Sequence, residues 1–156
     1  EPASLSFRVE SGKNGLNALY YKGQEFKGSP TMKIEKQLNL KLKDFSAKEY
    51  FSVIYEGLLI MPEDVRYQFQ LKSDDGSHFF LNEKSVIYQL HASDVPIKIN
   101  TDLKKNKTYY IRVHFQQRKS AAYFLLKSAK VVGNEKLQWA DIDFVPEGSF
   151  FPLSLE

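Results

Sequence analysis

The chain has 156 residues, 22 of them basic and 19 acidic, for a net charge of +3, and it contains no cysteine. That length suits one domain with a sizeable core, and the weak, mixed charge argues against a dedicated nucleic-acid binder. Without cysteine there are no disulfides, thiolate nucleophiles or thiolate metal sites, while an apolar share of 42% with 14% aromatics suits a folded β-rich protein.

The N-terminal stretch "EPASLSFRVE" lacks the basic, apolar and small-residue zones of a secretory signal. Its Leu5, Phe7 and Val9 alternate as an extra edge strand would. "KGSP" (Lys27 to Pro30) punctuates the chain, and the lysines between Lys33 and Lys48 read as a solvated strand face. "NLKLK" alternates Leu40 and Leu42 with polar neighbours, and "KDFSAKEYF" has room for one helical turn. "FSVIYEGLLIM" is rich in β-formers and nearly continuous in apolar character, so it belongs between layers. Glu56 interrupts it, and it falls far short of the roughly 20 residues that span a bilayer, so no membrane insertion is expected.

Pro62 and "PED" turn the chain back, after which "YQFQLK" alternates Tyr67, Phe69 and Leu71 with polar residues. "SDDGS" (Ser73 to Ser77) then reads as a tight, acidic hairpin tip, and "KKNK" (Lys104 to Lys107) as a further turn. In "YYIRVHFQ", Tyr109, Ile111, Val113 and Phe115 fall on one face and Tyr110, Arg112, His114 and Gln116 on the other. "AYFLLK" reads as another core strand, and "VGNEK" as a turn. In "LQWADIDFVPEGSFFPLSLE", Trp139, Phe144, Phe150 and Phe151 are placed to pack on the body or on a neighbouring domain. The expectation is an all-β fold, an antiparallel β-sandwich or β-barrel, with residues 1–156 forming a single domain.

No catalytic set is visible in the sequence. His78, His91 and His114 are scattered, and His114 sits on the polar face of its strand, where an imidazole is solvated or hydrogen-bonded. Neither an HExxH spacing nor a GxSxG elbow occurs, and the pairs Glu63/Asp64 and Asp141/Asp143 read as turn and edge residues. The chain is expected not to be an enzyme.

Three ordered blocks carry a resemblance. "GLNALYYKG" (Gly15 to Gly23), "FSVIYEGLLIMPEDVRYQFQLKSDDGSHFFLNEKSVI" (Phe51 to Ile87) and "LKKNKTYYIRVHF" (Leu103 to Phe115) followed by "AAYFLLK" cover most of residues 15–127. Together they resemble the protective-antigen fourteen-kilodalton (PA-fourteen) domain family, of the anthrax protective antigen type, leaving 128–156 as a C-terminal wrap. This resemblance implies an antiparallel β-barrel-like sandwich serving as an accessory module in a larger secreted or surface protein. The expected location is therefore extracellular, cell-surface or periplasmic. The implied partners are a glycan and neighbouring domains of the same polypeptide, with no nucleic acid.

The resemblance places paired aspartates that hold calcium at Asp74 and Asp75, and a second loop at "FQQRKSA". There Gln116 and Gln117 offer amide oxygens, while Arg118 and Lys119 bring positive charge that opposes a cation. Further along, "NEK" (Asn82 to Lys84) replaces an aspartate-glycine turn, and Tyr88 with Gln89 replaces an acidic or amide pair. Tyr88 could stack on a sugar face. Calcium wants six to eight oxygens, so two aspartates supply a fraction of a site. Asp and Gly also favour turns without any cation, which leaves an ion pair from Arg118 or Lys119 to Asp74 or Asp75 as the alternative.

Overall fold

The computed structural model describes residues 7–9, 15–23, 25–35, 39–41, 50–61, 63–89, 95–118, 123–133, 140–141, 150–151 and 153–155. Among them the regular structure is all strand, and no helix is long and apolar enough to cross a membrane. Numbered in chain order, one sheet runs β3 (Thr31–Glu35), β2 (Leu16–Lys22), β5 (Phe51–Ile60), β10 (Thr108–Gln117), β7 (Ser77–Leu81), β8 (Lys84–Gln89). The short β13 (Phe150–Phe151) pairs with β5 beyond the reach of β2. A second sheet runs β12 (Ala140–Asp141), β11 (Tyr123–Lys130), β6 (Val65–Asp74), β9 (Ile97–Leu103), with β4 (Asn39–Lys41) also on β11. All of these pairings are antiparallel.

The two sheets face each other as a sandwich because the period-two pattern gives each strand one apolar side to bury. On β10, Tyr109, Ile111, Val113 and Phe115 are buried, as the alternation requires. Opposite them, Phe69, Leu71, Phe124 and Leu126 come from the second sheet, and Tyr55 stacks on Phe124 with ring centres 5.5 Å apart. Phe115 packs on Phe124 at 5.3 Å and Phe69 on Phe79 at 5.2 Å, each contact joining one sheet to the other. Burying such rings contributes about 2–3 kcal/mol apiece, so this aromatic seam is a main source of cohesion.

Two expectations need restating. The chain end around Phe7 forms β1 (Phe7–Val9), but it pairs with β14 (Leu153–Leu155) in a small sheet of its own instead of extending the body's edge. The acidic "SDDGS" stretch is not a hairpin tip: β6 lies in the second sheet and β7 in the first, so Asp75 and Gly76 form a crossover between layers. A hairpin does follow it. Asn82 and Glu83 both have positive φ, 50° and 65°, which is the twist a two-residue turn between β7 and β8 needs. Most of "KDFSAKEYF" (Lys43 to Phe51), where a helical turn is expected, lies outside the described residues, as do Trp139 and Phe144, while its Phe51 opens β5.

Candidate functional site at the crossover end

Two crossovers meet at one end of the sandwich. The link from β6 to β7 carries Asp75 and Gly76, and the link leaving β10 toward β11 begins at Arg118. They are adjacent because β7 pairs with β10 (Ser77 opposite Phe115) while β6 pairs with β11 (Asp74 opposite Tyr123). The Arg118 amide donates to Asp75 Oδ2 at 2.7 Å, and the Gln116 amide donates to the Gly76 carbonyl at 2.9 Å. The Tyr50 amide donates in turn to the Arg118 carbonyl at 2.7 Å, which ties the start of β5 into the same end. The peptide bond between Asp74 and Asp75 is cis.

Beneath this tip a buried polar network fixes the loop. Ser73 Oγ donates to the Asp75 carbonyl at 2.8 Å and lies 2.6 Å from Ser77 Oγ. The Gln89 side-chain amide donates to the Ser73 carbonyl at 2.8 Å and to Ser73 Oγ at 3.1 Å. Ser73, Ser77 and Gln89 are all buried, so each bond made here avoids a desolvation penalty of about 1–3 kcal/mol.

On the outer face of the first sheet, the register sets one row of outward side chains across six strands: Met32, Leu19, Ile54, His114, His78 and Tyr88. The two imidazoles are therefore direct cross-strand neighbours, although 36 positions separate them in sequence. His78 stacks on Phe80 at 3.9 Å and leans on Tyr88 at 4.7 Å, while His114 lies 4.9 Å from Phe26 and 5.5 Å from Phe80. Ser52 holds Phe26 over this face by accepting the Phe26 amide at 3.1 Å and donating to the Gly23 carbonyl at 2.8 Å.

A cavity of about 200 Å³ opens beside the acidic tip, with Phe26, His78, Tyr88, Gln89, His114 and Gln116 among the residues around it. Burial, with the Arg112 guanidinium and His78 adding to it, brings the His114 imidazole down to about 4; burial and then Arg112 also lower His78. Arg112 itself lies over the Phe80 ring at 4.6 Å and donates to Glu83 at 2.8 Å.

The profile of the PA14 domain matches residues 12–127. The chain belongs to the PA14 domain family. Among solved structures, an anti-sigma factor domain-containing protein from Clostridium clariflavum superimposes at a TM-score of 0.73 with 20% identity, covering 97% of this chain and 53% of that one. The chain thus spans about half the length of that protein, and likewise of a second anti-sigma factor domain-containing protein. The epithelial adhesin 9 A domain from Candida glabrata, in complex with Galb1-3GlcNAc, matches at 0.67 with 11% identity over 97% of this chain and 95% of that one. A PA14 sugar-binding domain from an RTX adhesin matches at 0.62 with 13% identity, over 82% and 95%. At these identities the likeness is one of fold. No curated protein matches the chain.

Within this PA14 domain the residues expected at the site divide. Asp74, Asp75, Gln116 and Arg118 converge at the crossover end, and Tyr88 is 56% exposed at the cavity edge. Gln117 points into the sandwich with no exposed surface, and Lys119 lies outside the described residues. Arg118 meets Asp75 through its backbone amide. His114 corrects the expectation of a solvated or hydrogen-bonded imidazole: it is packed among aromatic rings, and its Nε2 is buried with no hydrogen-bond partner among the described residues.

The donor set also bears on calcium. Asp74 and Asp75 are hard oxygen ligands, but one Asp75 oxygen already accepts the Arg118 amide. Among the described residues no cluster of three or more His, Cys, Asp or Glu could hold a metal ion. Against six to eight oxygens these two side chains do not fit the ion by themselves, so no step of recognition is routed through it.

Proposed function

We propose that this PA14 domain is a non-catalytic carbohydrate-binding module of a larger protein acting outside the cytoplasm, at the cell surface or in the periplasm. The observation that carries this reading is the meeting of two separately encoded crossovers, Arg118 amide to Asp75 carboxylate, over a recess lined by aromatic and amide side chains. Such a recess offers what a sugar needs, namely flat rings for its C–H faces and fixed polar atoms for its hydroxyls. The sugar-binding adhesin domain and the adhesin domain in complex with Galb1-3GlcNAc among its structural neighbours support the reading.

Glycan-array binding with titration calorimetry on the best hits tests it. The wild-type chain is expected to bind in EDTA as it does in calcium. Asp75→Ala should weaken binding at least tenfold, because it unfastens the Arg118 crossover from the tip. An array without any wild-type signal refutes the module's assignment to carbohydrate. The second reading, a docking module, is favoured by the half-length span in the anti-sigma factor domain-containing proteins, which leaves another half beside it. It expects no glycan signal that depends on Asp75.

A further inference from the structure

The edges of the two sheets are not equally defended. A strand with one side unpaired offers its amides and carbonyls to another chain, and proteins blunt such edges with short strands, prolines, bulges or like charges. β3 is five residues long, follows Pro30 directly and carries Lys33 at its centre, which a second β3 would meet with its own Lys33. β8 is bulged, since Val86 is skipped where its register on β7 shifts between Phe79 and Phe80. β12 has only two residues. β9 shows none of these devices. Its seven residues, "IKINTDL", pair with β6 without a register shift, and among the described residues its other edge pairs with no strand. A cavity of about 510 Å³, with Val86 and Ile99 among its walls, separates it from β8.

This edge is complementary to itself. Ile99 packs on the core, so Lys98, Asn100 and Asp102 share the outer face, where Asn100 accepts from Gln68 at 3.0 Å and Asp102 from Arg66 at 2.7 and 3.1 Å. A second β9, laid antiparallel about a two-fold axis at Asn100, sets Lys98 of each copy opposite Asp102 of the other and Asn100 opposite Asn100. Neighbouring registers do worse. An axis at Lys98 or Asp102 puts like charges face to face, one at Thr101 puts Lys98 opposite Lys104, and one at Ile99 leaves Lys98 opposite Asn100. Only the axis at Asn100 pairs opposite charges, and it does so twice. Asn100 uses its side-chain oxygen toward Gln68 and keeps two amide protons, one of which can reach the oxygen of its counterpart. Ile97, 37% exposed at the start of the strand, adds apolar surface for the second strand to cover.

We propose that β9 is a self-association edge: two copies of this chain join β9 to β9 in an isologous antiparallel pair centred on Asn100, which runs the second sheet continuously through both. β9 starts opposite Leu71, near the crossover end, and runs away from it to Leu103 opposite Val65. In the pair the two crossover ends therefore point in opposite directions. Such a dimer bridges two ligands or two docking partners instead of gripping one surface twice. The inference is independent of what the crossover end binds.

Sedimentation equilibrium of the 156-residue chain, loaded at roughly 5 to 500 µM, tests it; a single strand pair is a small interface, so a dissociation constant in the micromolar range is expected. Lys98→Asp alone sets two carboxylates opposite each other at both charged positions of the pair, and Asp102→Lys alone sets two ammonium groups there. Each should weaken the dimer at least tenfold. An equimolar mixture of the two variants restores opposite charges at both positions and should dimerise within about threefold of wild type. Should Asp102→Lys lose its fold along with its Arg66 partner, as circular dichroism will show, Asn100→Asp sets two carboxylates on the axis and must weaken the dimer instead. A wild-type chain that stays monomeric over the whole range overturns the proposal. A dimer that Lys98→Asp or Asn100→Asp leaves intact also overturns it, because the contact then lies on another surface. A mixture of folded variants that stays monomeric overturns the register, and the proposal with it.

Discussion

Replacing His114 with Phe should remove part of the chain's acid sensitivity. The unfolded imidazole titrates near 6.5 and the folded one at about 4. Between those values the unfolded chain binds a proton that the folded chain does not, so stability rises with pH across this window. Read downward, stability is unaffected by His114 above about 6.5, falls as the pH drops toward 4, and levels off below it. At 1.36 kcal/mol per pH unit, a separation of about 2.5 units corresponds to about 3.4 kcal/mol. Because the ring is only half-buried, solvent screening should leave roughly 2 kcal/mol of this.

Phenylalanine fills a similar space between Phe26 and Phe80 and has nothing to protonate. Urea denaturation followed by circular dichroism at pH 7.5, 6, 5 and 4 should show wild type losing roughly 2 kcal/mol more than His114→Phe over that range. The wild-type ring protons, followed by NMR, should report a midpoint well below that of an exposed histidine. Parallel stability-against-pH curves for the two proteins, or a wild-type midpoint near 6.5, would refute the claim that ring burial and the Arg112 charge hold this imidazole neutral.

Phe124→Ala should destabilise the domain by about 3–5 kcal/mol in chemical denaturation, since the ring is fully buried and bridges Tyr55 and Phe115 across the sandwich; a loss under 1 kcal/mol would show that the seam repacks. Gly15→Ala should cost roughly 2–3 kcal/mol: Gly15 has φ of +111°, and an added Cβ would lie 2.5 Å from the Glu35 carbonyl oxygen. A melting temperature equal to wild type would show that β2 and β3 can separate locally at little cost.

What the sequence reveals here is orientation, and what it hides is partnership. The alternation in "YYIRVHFQ" tells which β10 side chains face inward, and the structure buries Tyr109, Ile111, Val113 and Phe115 accordingly. Period two says nothing about which strand lies alongside. His78 and His114 each read as outward residues of separate strands, and only the register of β7 on β10 makes them neighbours. The acidic stretch misleads for the same reason: Asp, Asp and Gly signal a reversal, yet a hairpin and an inter-sheet crossover use the same turn chemistry. Gln89 lay hidden differently. An amide at the end of a strand gives no sign that its nitrogen is committed to Ser73 while its oxygen is left over.

The position of the site follows from strand order more than from any one residue. Once β7 lies beside β10 in one sheet and β6 beside β11 in the other, β6 and β10 both end, and β7 and β11 both begin, at the same end of the sandwich. Contacts that fix this order, Phe69 on Phe79 and Phe115 on Phe124, lie inside the sandwich, away from the links they align. Side chains on the two links and on the outer face can then change with little effect on the core. Tyr88 and Phe124 make the separation measurable: a Tyr88 truncation should act on the ligand and leave the unfolding midpoint in place, whereas the Phe124 truncation lowers the midpoint. If truncating Tyr88 lowered the midpoint as far as truncating Phe124 does, the outer face would be part of the fold's support, and the division between scaffold and site would fail.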